Sequence, residues 1–276
     1  MRRFNLKLIA INILAWTIAI IWLTPFIGLF MTSIRPFKEL THGWWSLEQF
    51  HVTAENYFEA FNRGMGKYLI NSLIITVPST VIPIFVAALS AYAFSRFSFP
   101  IKDMLFLTLV FIQIIPSILT LIPLTILLRE ARLLNTIVGL VLIHTAFSQP
   151  WITFFLRNFF LTLPKEIEEA AKIDGCSDIQ IFSKIVLPLS APALGSVASI
   201  QFLLVWNDFL FALIFLKTPD LWPVTIGVTV LSQSQYIANW GLLSAASIIA
   251  ISVPLALFLV IQKYYIRGLV MGAVKG

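Results

Sequence analysis

The chain has 276 residues, 59% of them hydrophobic and 12% charged, with a net charge of +6 and a mean hydropathy of +0.91. Soluble domains carry about a quarter charged residues, so this composition excludes a soluble globular domain and indicates an integral membrane protein. The strand-like alternation of an outer-membrane barrel is absent. The positive balance is read as Lys and Arg holding helix ends on the cytoplasmic side, and no nucleic-acid partner is expected. A single cysteine, Cys176, excludes an internal disulfide and reads as a small loop residue.

MRRFNLK leads into a charge-free run from Leu8 to Met31. That run is too long for a signal-peptide core and no A-x-A site closes it, so it is expected to stay as a first span. Residues 32–67 follow as an outer loop, with Trp44 and Trp45 suited to the membrane interface. The second span, Tyr68 to Ser95, contains Pro78 and Pro83, and the third, Met104 to Leu128, contains Pro116 and Pro123. Helical spans tolerate such prolines where neighbouring helices and hydroxyls satisfy the freed carbonyls. The fourth, Leu133 to Leu156, carries His144 and no other charge-bearing group. A fifth runs from about Ala191 to Leu216 and a sixth from about Gly241 to Gln262. Each is long enough to cross the hydrocarbon core, which takes roughly 20 residues. Ser232, Gln233, Ser234, Gln235 and Asn239 suit an outer loop before the last span, with a re-entrant segment as the alternative. Twelve of the 19 Lys and Arg residues fall inside when the N-terminus is cytoplasmic. The expected fold is all-α: six transmembrane helices in one domain over residues 1–276, both termini cytoplasmic, in the cell membrane.

Between spans four and five lies EEAAKIDGCSDIQIFSKIVLP, residues 168–188, with six charged residues. Pro164 suits the first position of a short helix. Glu166, Glu168 and Glu169 lie where the helix dipole favours negative charge, and Ala170 and Ala171 keep one side thin. Gly175 is a natural stop. Ser177 and Gln180 make a capping-box pattern for a second helix, with an apolar face of Ile179, Phe182, Ile185 and Val186, ending before Pro188 and Pro192. Spacing alone supports a solvated loop as well as insertion into another protein's groove.

Glu169-Ala170-Ala171, three residues, Gly175, nine residues, then Ile185-x-Leu187-Pro188 resembles the EAA motif of ABC importer permeases. VWNDFLFAL (205–213), EEAAKIDG (168–175, with Asp174) and RGLVMGAVKG (267–276) resemble the carbohydrate-uptake branch and its MalG-like, six-span member. The resemblance implies a type I ABC importer permease whose loop at 162–190 forms coupling helices on a cytoplasmic ATPase. Glu169 then faces a basic residue of that ATPase, Ala170 and Ala171 allow close approach, and Gly175 makes the turn. It also implies a second homologous permease chain, two ATP-binding cassette ATPase subunits and an extracytoplasmic sugar-binding protein. That binding protein would be met by the loop from Lys217 to Trp240. Arg267 and Lys275 are read as ATPase contacts or interfacial anchors. The chain has no G-x-x-x-x-G-K-[ST], so it lacks the phosphate cradle for ATP. No cofactor or metal is expected on it, and ATP and Mg are used by the partner ATPase.

Asp208 is the one acidic residue expected inside a span, where a carboxylate at a helix centre costs about 2.5–3.5 kcal/mol. It follows Gln201 by seven residues, hence on the same expected helix face. Gln201, Asn207 and Asp208 are candidates for a polar sugar path; a structural hydrogen bond to a neighbouring helix is the alternative. Gln113, His144 and Gln149 are weaker candidates, His144 reading first as a packing residue. The solute is a mono- or oligosaccharide, or alternatively a polyol or glycerol phosphate. A secondary transporter needs ion-coupling charges and internal repeats, and an intramembrane enzyme needs a paired catalytic constellation. Neither rival explains the charged stretch.

Overall fold

The computed structural model describes residues 6–46, 48, 50–232 and 239–273. The expectations placed on Arg2, Arg3, Gln233, Ser234, Gln235 and Lys275 lie outside the described residues, as does the side chain of Arg267. All regular structure among the described residues is helical. Four helices are long and apolar enough to cross a membrane: α1 (Leu6–Ser33), α3 (Met65–Arg96), α6 (Ile137–Phe160) and α13 (Trp240–Ala273). The shortest of these has 24 residues, about 36 Å at 1.5 Å per residue, against about 30 Å of hydrocarbon. The amphipathic helix α2 (Glu55–Asn62) lies between the first two.

The third expected span is not one helix. Helix α4 (Lys102–Phe111) tightens into a 3-10 turn at Ile112–Ile114, and Ile115 is then extended at φ −69°, ψ 117°. Pro116 is the cause, since its ring disfavours the helical region for the residue before it. A second 3-10 turn, Ser117–Thr120, restarts the chain into α5 (Leu121–Glu130), and the axis bends by 94°. Pro123 falls in the first turn of α5, where its missing N–H is harmless.

The fifth expected span is also corrected. Helix α10 (Ala191–Trp206) stops at Asn207, and α11 (Leu210–Phe215) begins only after a break. Upstream, α7 (Lys165–Ile173) is followed by α8 (Asp178–Ile181), a π-turn at Phe182–Val186 and α9 (Leu187–Leu189). Pro188 therefore lies inside this helical run and does not end it. Leu187 N–H reaches back five residues to Phe182 O, and this wider turn gives the proline ring room that an α-turn would deny it. The run meets α10 at 74°. A further helix, α12 (Val224–Ser232), precedes the last one.

The chain divides into two units, Met1–Gly66 with Gly227–Ser252, and Lys67–Ile226 with Val253–Gly276. In the first, Asn56 Nδ2 donates to Ser33 O and Arg35 O, both at 2.9 Å. The Arg35 guanidinium donates to Trp44 O and Ser46 O and pairs with Glu39. Burial pushes the Glu39 carboxyl up, but hydrogen bonds from the His51 ring and backbone, the His51 charge and Arg35 outweigh it and hold Glu39 below its ordinary value. The second unit has two cores. One packs Ala87, Ala88 and Ala91 of α3 against Ile152, Leu156 and Phe160 of α6 and Ala171, Phe182 and Val186 of the 165–189 segment. The other gathers Ile75, Leu140, Ile143, Val205, Phe211 and Phe215.

Candidate functional site

Two helices and a glycine turn build the segment at 164–189 as its local chemistry directs. Pro164, at φ −60° and ψ 126°, is the N-cap of α7, one residue before the position expected for it. Asp174 is the C-cap, and Gly175 takes φ +84°. Gly175 N donates to Lys172 O and Cys176 N to Ala171 O, both at 3.0 Å. These are the two bonds of a Schellman ending. A Cβ at residue 175 would meet nothing within 4 Å, so the left-handed backbone and not crowding requires glycine. Ser177 and Gln180 form the expected capping box on α8. Lys172 Nζ, 3.1 Å from Asp178 Oδ1, ties the two helices.

The motif residues divide into anchors and an outward face. Ala171 is buried in the first core, which also holds the alanines of α3. Glu168 is also buried: Oε1 accepts from Arg96 Nε at 2.8 Å and lies 2.6 Å from Arg96 Nη2. Glu169, Ala170, Asp174 and Pro188 are exposed; Ile185 and Leu187 are half-buried. The expected apolar face holds for Phe182 and Val186, but Ile179 is 79% exposed and Ile181 is buried in its stead. Ile173, next to the turn, is 88% exposed. Two exposed isoleucines thus flank the glycine turn, on a segment too charged for hydrocarbon.

The three pathway candidates part company. Gln201 is only 1% exposed. Its Nε2 donates to Ser79 O at 3.0 Å and to Ser148 Oγ at 2.5 Å. Ser79 lies four residues before Pro83, so its carbonyl has no helical donor; Gln201 replaces the N–H that the proline lacks. Asn207 is exposed at the end of α10, and its Nδ2 donates back to Leu203 O. Asp208 lies in the break and not on the face of Gln201. Its carboxylate accepts from Phe211 N at 3.2 Å and Ala212 N at 3.0 Å, capping α11. His144 Nε2 is 3.5 Å from Asp208 Oδ2, so two residues read separately in the sequence are neighbours. Gln149 donates to Pro83 O. Gln113, Ser117 and Thr120 line a cavity of about 510 Å³ at the bend between α4 and α5, closed in part by Phe147 and Pro150. Among the described residues, no group of three or more His, Cys, Asp and Glu could hold a metal ion.

Long apolar helices, two sharply bent pairs and a charged helix–glycine–helix segment define a multi-span helical membrane protein. The chain belongs to the family of binding-protein-dependent transport system inner membrane components, which it matches over residues 79–270. It is 49% identical to a probable ABC transporter permease protein of Pyrococcus horikoshii, over 96% of both chains. It is 42% identical to an osmoprotective compounds uptake permease protein of Synechocystis, over 96% of this chain and 91% of the other. With an alpha-glucoside transport system permease protein of Rhizobium meliloti the identity is 43%, over 81% of this chain and 60% of the other. The fold is that of a crystal structure of a bacterial ABC transporter involved in import of the acidic polysaccharide alginate. The TM-score is 0.83 at 22% identity, covering 96% of this chain and 98% of that one. The chain is thus an ABC-transporter permease, a transport component of the inner membrane.

Proposed function

We propose that this permease imports a sugar delivered by an extracytoplasmic binding protein, using ATP hydrolysed on two separate cassette subunits. It acts as one transmembrane domain of six spans, with α4–α5 and α10–α11 each counted as one span, the 164–189 segment outside the bilayer and both termini cytoplasmic. A second, homologous permease completes the path. The observation that carries this reading is the segment at 164–189: Ala171 and Glu168 anchor it inward, while Glu169, Ile173 and Ile179 face outward. An ATPase groove with a basic residue for Glu169 and apolar walls for the isoleucines complements that face. ATP drives the change because it favours one cavity state over the other; a ligand without such a preference shifts nothing.

The sugar reading is supported by the alpha-glucoside relative. A second reading, a polyol or a similar polar osmolyte, is favoured by the osmoprotectant-uptake relative. This reading takes the path to run past the α4–α5 bend. Irregular backbone at membrane depth is tolerated only where protein buries it or water reaches it, and Gln113, Ser117 and Thr120 present polar groups there. Asn207 remains a path candidate by its exposure, and Asp208 acts by shaping the break beside it.

The test is made on the assembled complex. Glu169→Ala and Gly175→Ala are expected to reduce ATPase co-purification and solute uptake together. Wild-type levels of both would remove the docking role.

A further inference from the structure

Arg96, the last residue of α3, joins three elements through one guanidinium. Its Nε and Nη2 hold Glu168 Oε1 in the first turn of α7. Its Nη2 also donates to Phe160 O, at the end of α6, at 2.8 Å. The return brace comes from α6: Arg157 Nε donates to Phe94 O of α3 at 3.4 Å. The side chains of Arg96 and Glu168 are 8% and 9% exposed. Beneath them, Ala171 and Phe160 share the first core with Ala87, Ala88 and Ala91. The rest of the 164–189 segment carries its charges on the surface, so this is where α7 is tied to the long helices by a buried charge pair.

We propose that the Arg96–Glu168 pair is the strut that passes movement of α7 to α3 and α6, making both positioning residues for transport and not docking residues. The inference rests on the coupling reading above, since a segment that met no ATPase would have no movement to pass on. Glu168 is buried on Arg96 whereas Glu169, one position on, is exposed, so neighbouring carboxylates have separate tasks: one grips the partner, the other grips the spans. Arginine suits this place because a planar fork reaches two acceptors on different elements, which a lysine ammonium on a flexible stem does not hold in fixed geometry.

The experiment measures ATP hydrolysed per solute imported by the complete complex in liposomes, for wild type, Arg96→Lys, Glu168→Gln and Glu169→Ala. Both strut variants are expected to keep ATPase co-purification and hydrolysis within twofold of wild type. Their uptake should fall about tenfold, so the ratio of ATP to solute rises about tenfold. Two results would overturn the strut: an unchanged ratio in both variants, or ATPase lost in step with uptake, which would make the pair part of the docking surface. Should Arg96→Lys fail to accumulate, Glu168→Gln decides, because it keeps an acceptor of the same shape. Glu169→Ala separates the two claims. If it strips the ATPase while the strut variants stay coupled, docking stands and the strut falls. If it leaves ATPase and uptake intact, docking itself falls.

Discussion

Pro83 has no N–H to offer Ser79, and Gln201 makes good the loss from another helix. A buried acceptor left unpaired costs about 1–3 kcal/mol, so Gln201→Leu should destabilise the permease by about that much. In a Pro83→Ala background, where a helical N–H is restored, the same substitution should cost less; equal costs would show that the amide has another task. At the turn, Gly175→Ala forces an L-residue into φ +84°, a strain of roughly 1–2 kcal/mol that thermal unfolding of the assembled complex would register. Arg96→Ala leaves Glu168 buried without its partner, which typically costs about 3–5 kcal/mol; Arg96→Lys keeps the charge pair, while Glu168→Gln keeps the acceptor but not the counter-charge of Arg96. Glu39 gives a pH dependence with a definite sign. Its folded pKa lies below the ordinary 4.5, so its stabilising contribution is complete above that value and is lost as pH falls through the folded pKa. Glu39→Gln should therefore lower the melting temperature at pH 7, with the difference vanishing in acid. A difference that persisted in acid would assign the effect to packing.

At the scale of the element, local rules were readable wherever one short stretch contains both partners. The Schellman ending at Gly175 and the capping box at Ser177 and Gln180 depend on residues within a few positions of each other, and both are present. The breaks were harder to see. A membrane helix passes through Pro78 and Pro83 unbroken yet bends by 94° at Pro116, because neighbours decide whether a proline kinks or is absorbed. Nothing in residues 191–216 marks Asn207 as a stop; Asp208 ends up capping α11 because its carboxylate meets two free N–H groups there. Arg96 with Glu168 joins two helices and His144 with Asp208 joins a helix to the break after α10, and periodicity carries no record of which faces meet. If the bend at Pro116 forms the path, Pro116→Ala should permit a straighter helix and lower uptake severalfold while ATPase co-purification is retained. Unchanged uptake kinetics would place the path elsewhere.

For the molecule as a whole, composition was enough to name a multi-span helical membrane protein, and a 20-residue motif was enough to name its family, which the match over residues 79–270 bears out. Three side chains proposed together as a sugar path resolved into a helix mate, an exposed helix end and a cap, because depth and rotation within a bundle are set by packing. What unites the second unit is a core shared by α3, α6 and the 164–189 segment, so a push on that segment meets spans already packed against it. The most direct measurement of this account is solute uptake into liposomes holding the complete transporter with its binding protein, with ATP enclosed on the ATPase side. The account predicts uptake that requires ATP and the binding protein and is lost with Glu169→Ala. Uptake that continues without ATP, driven by an ion gradient, would contradict it.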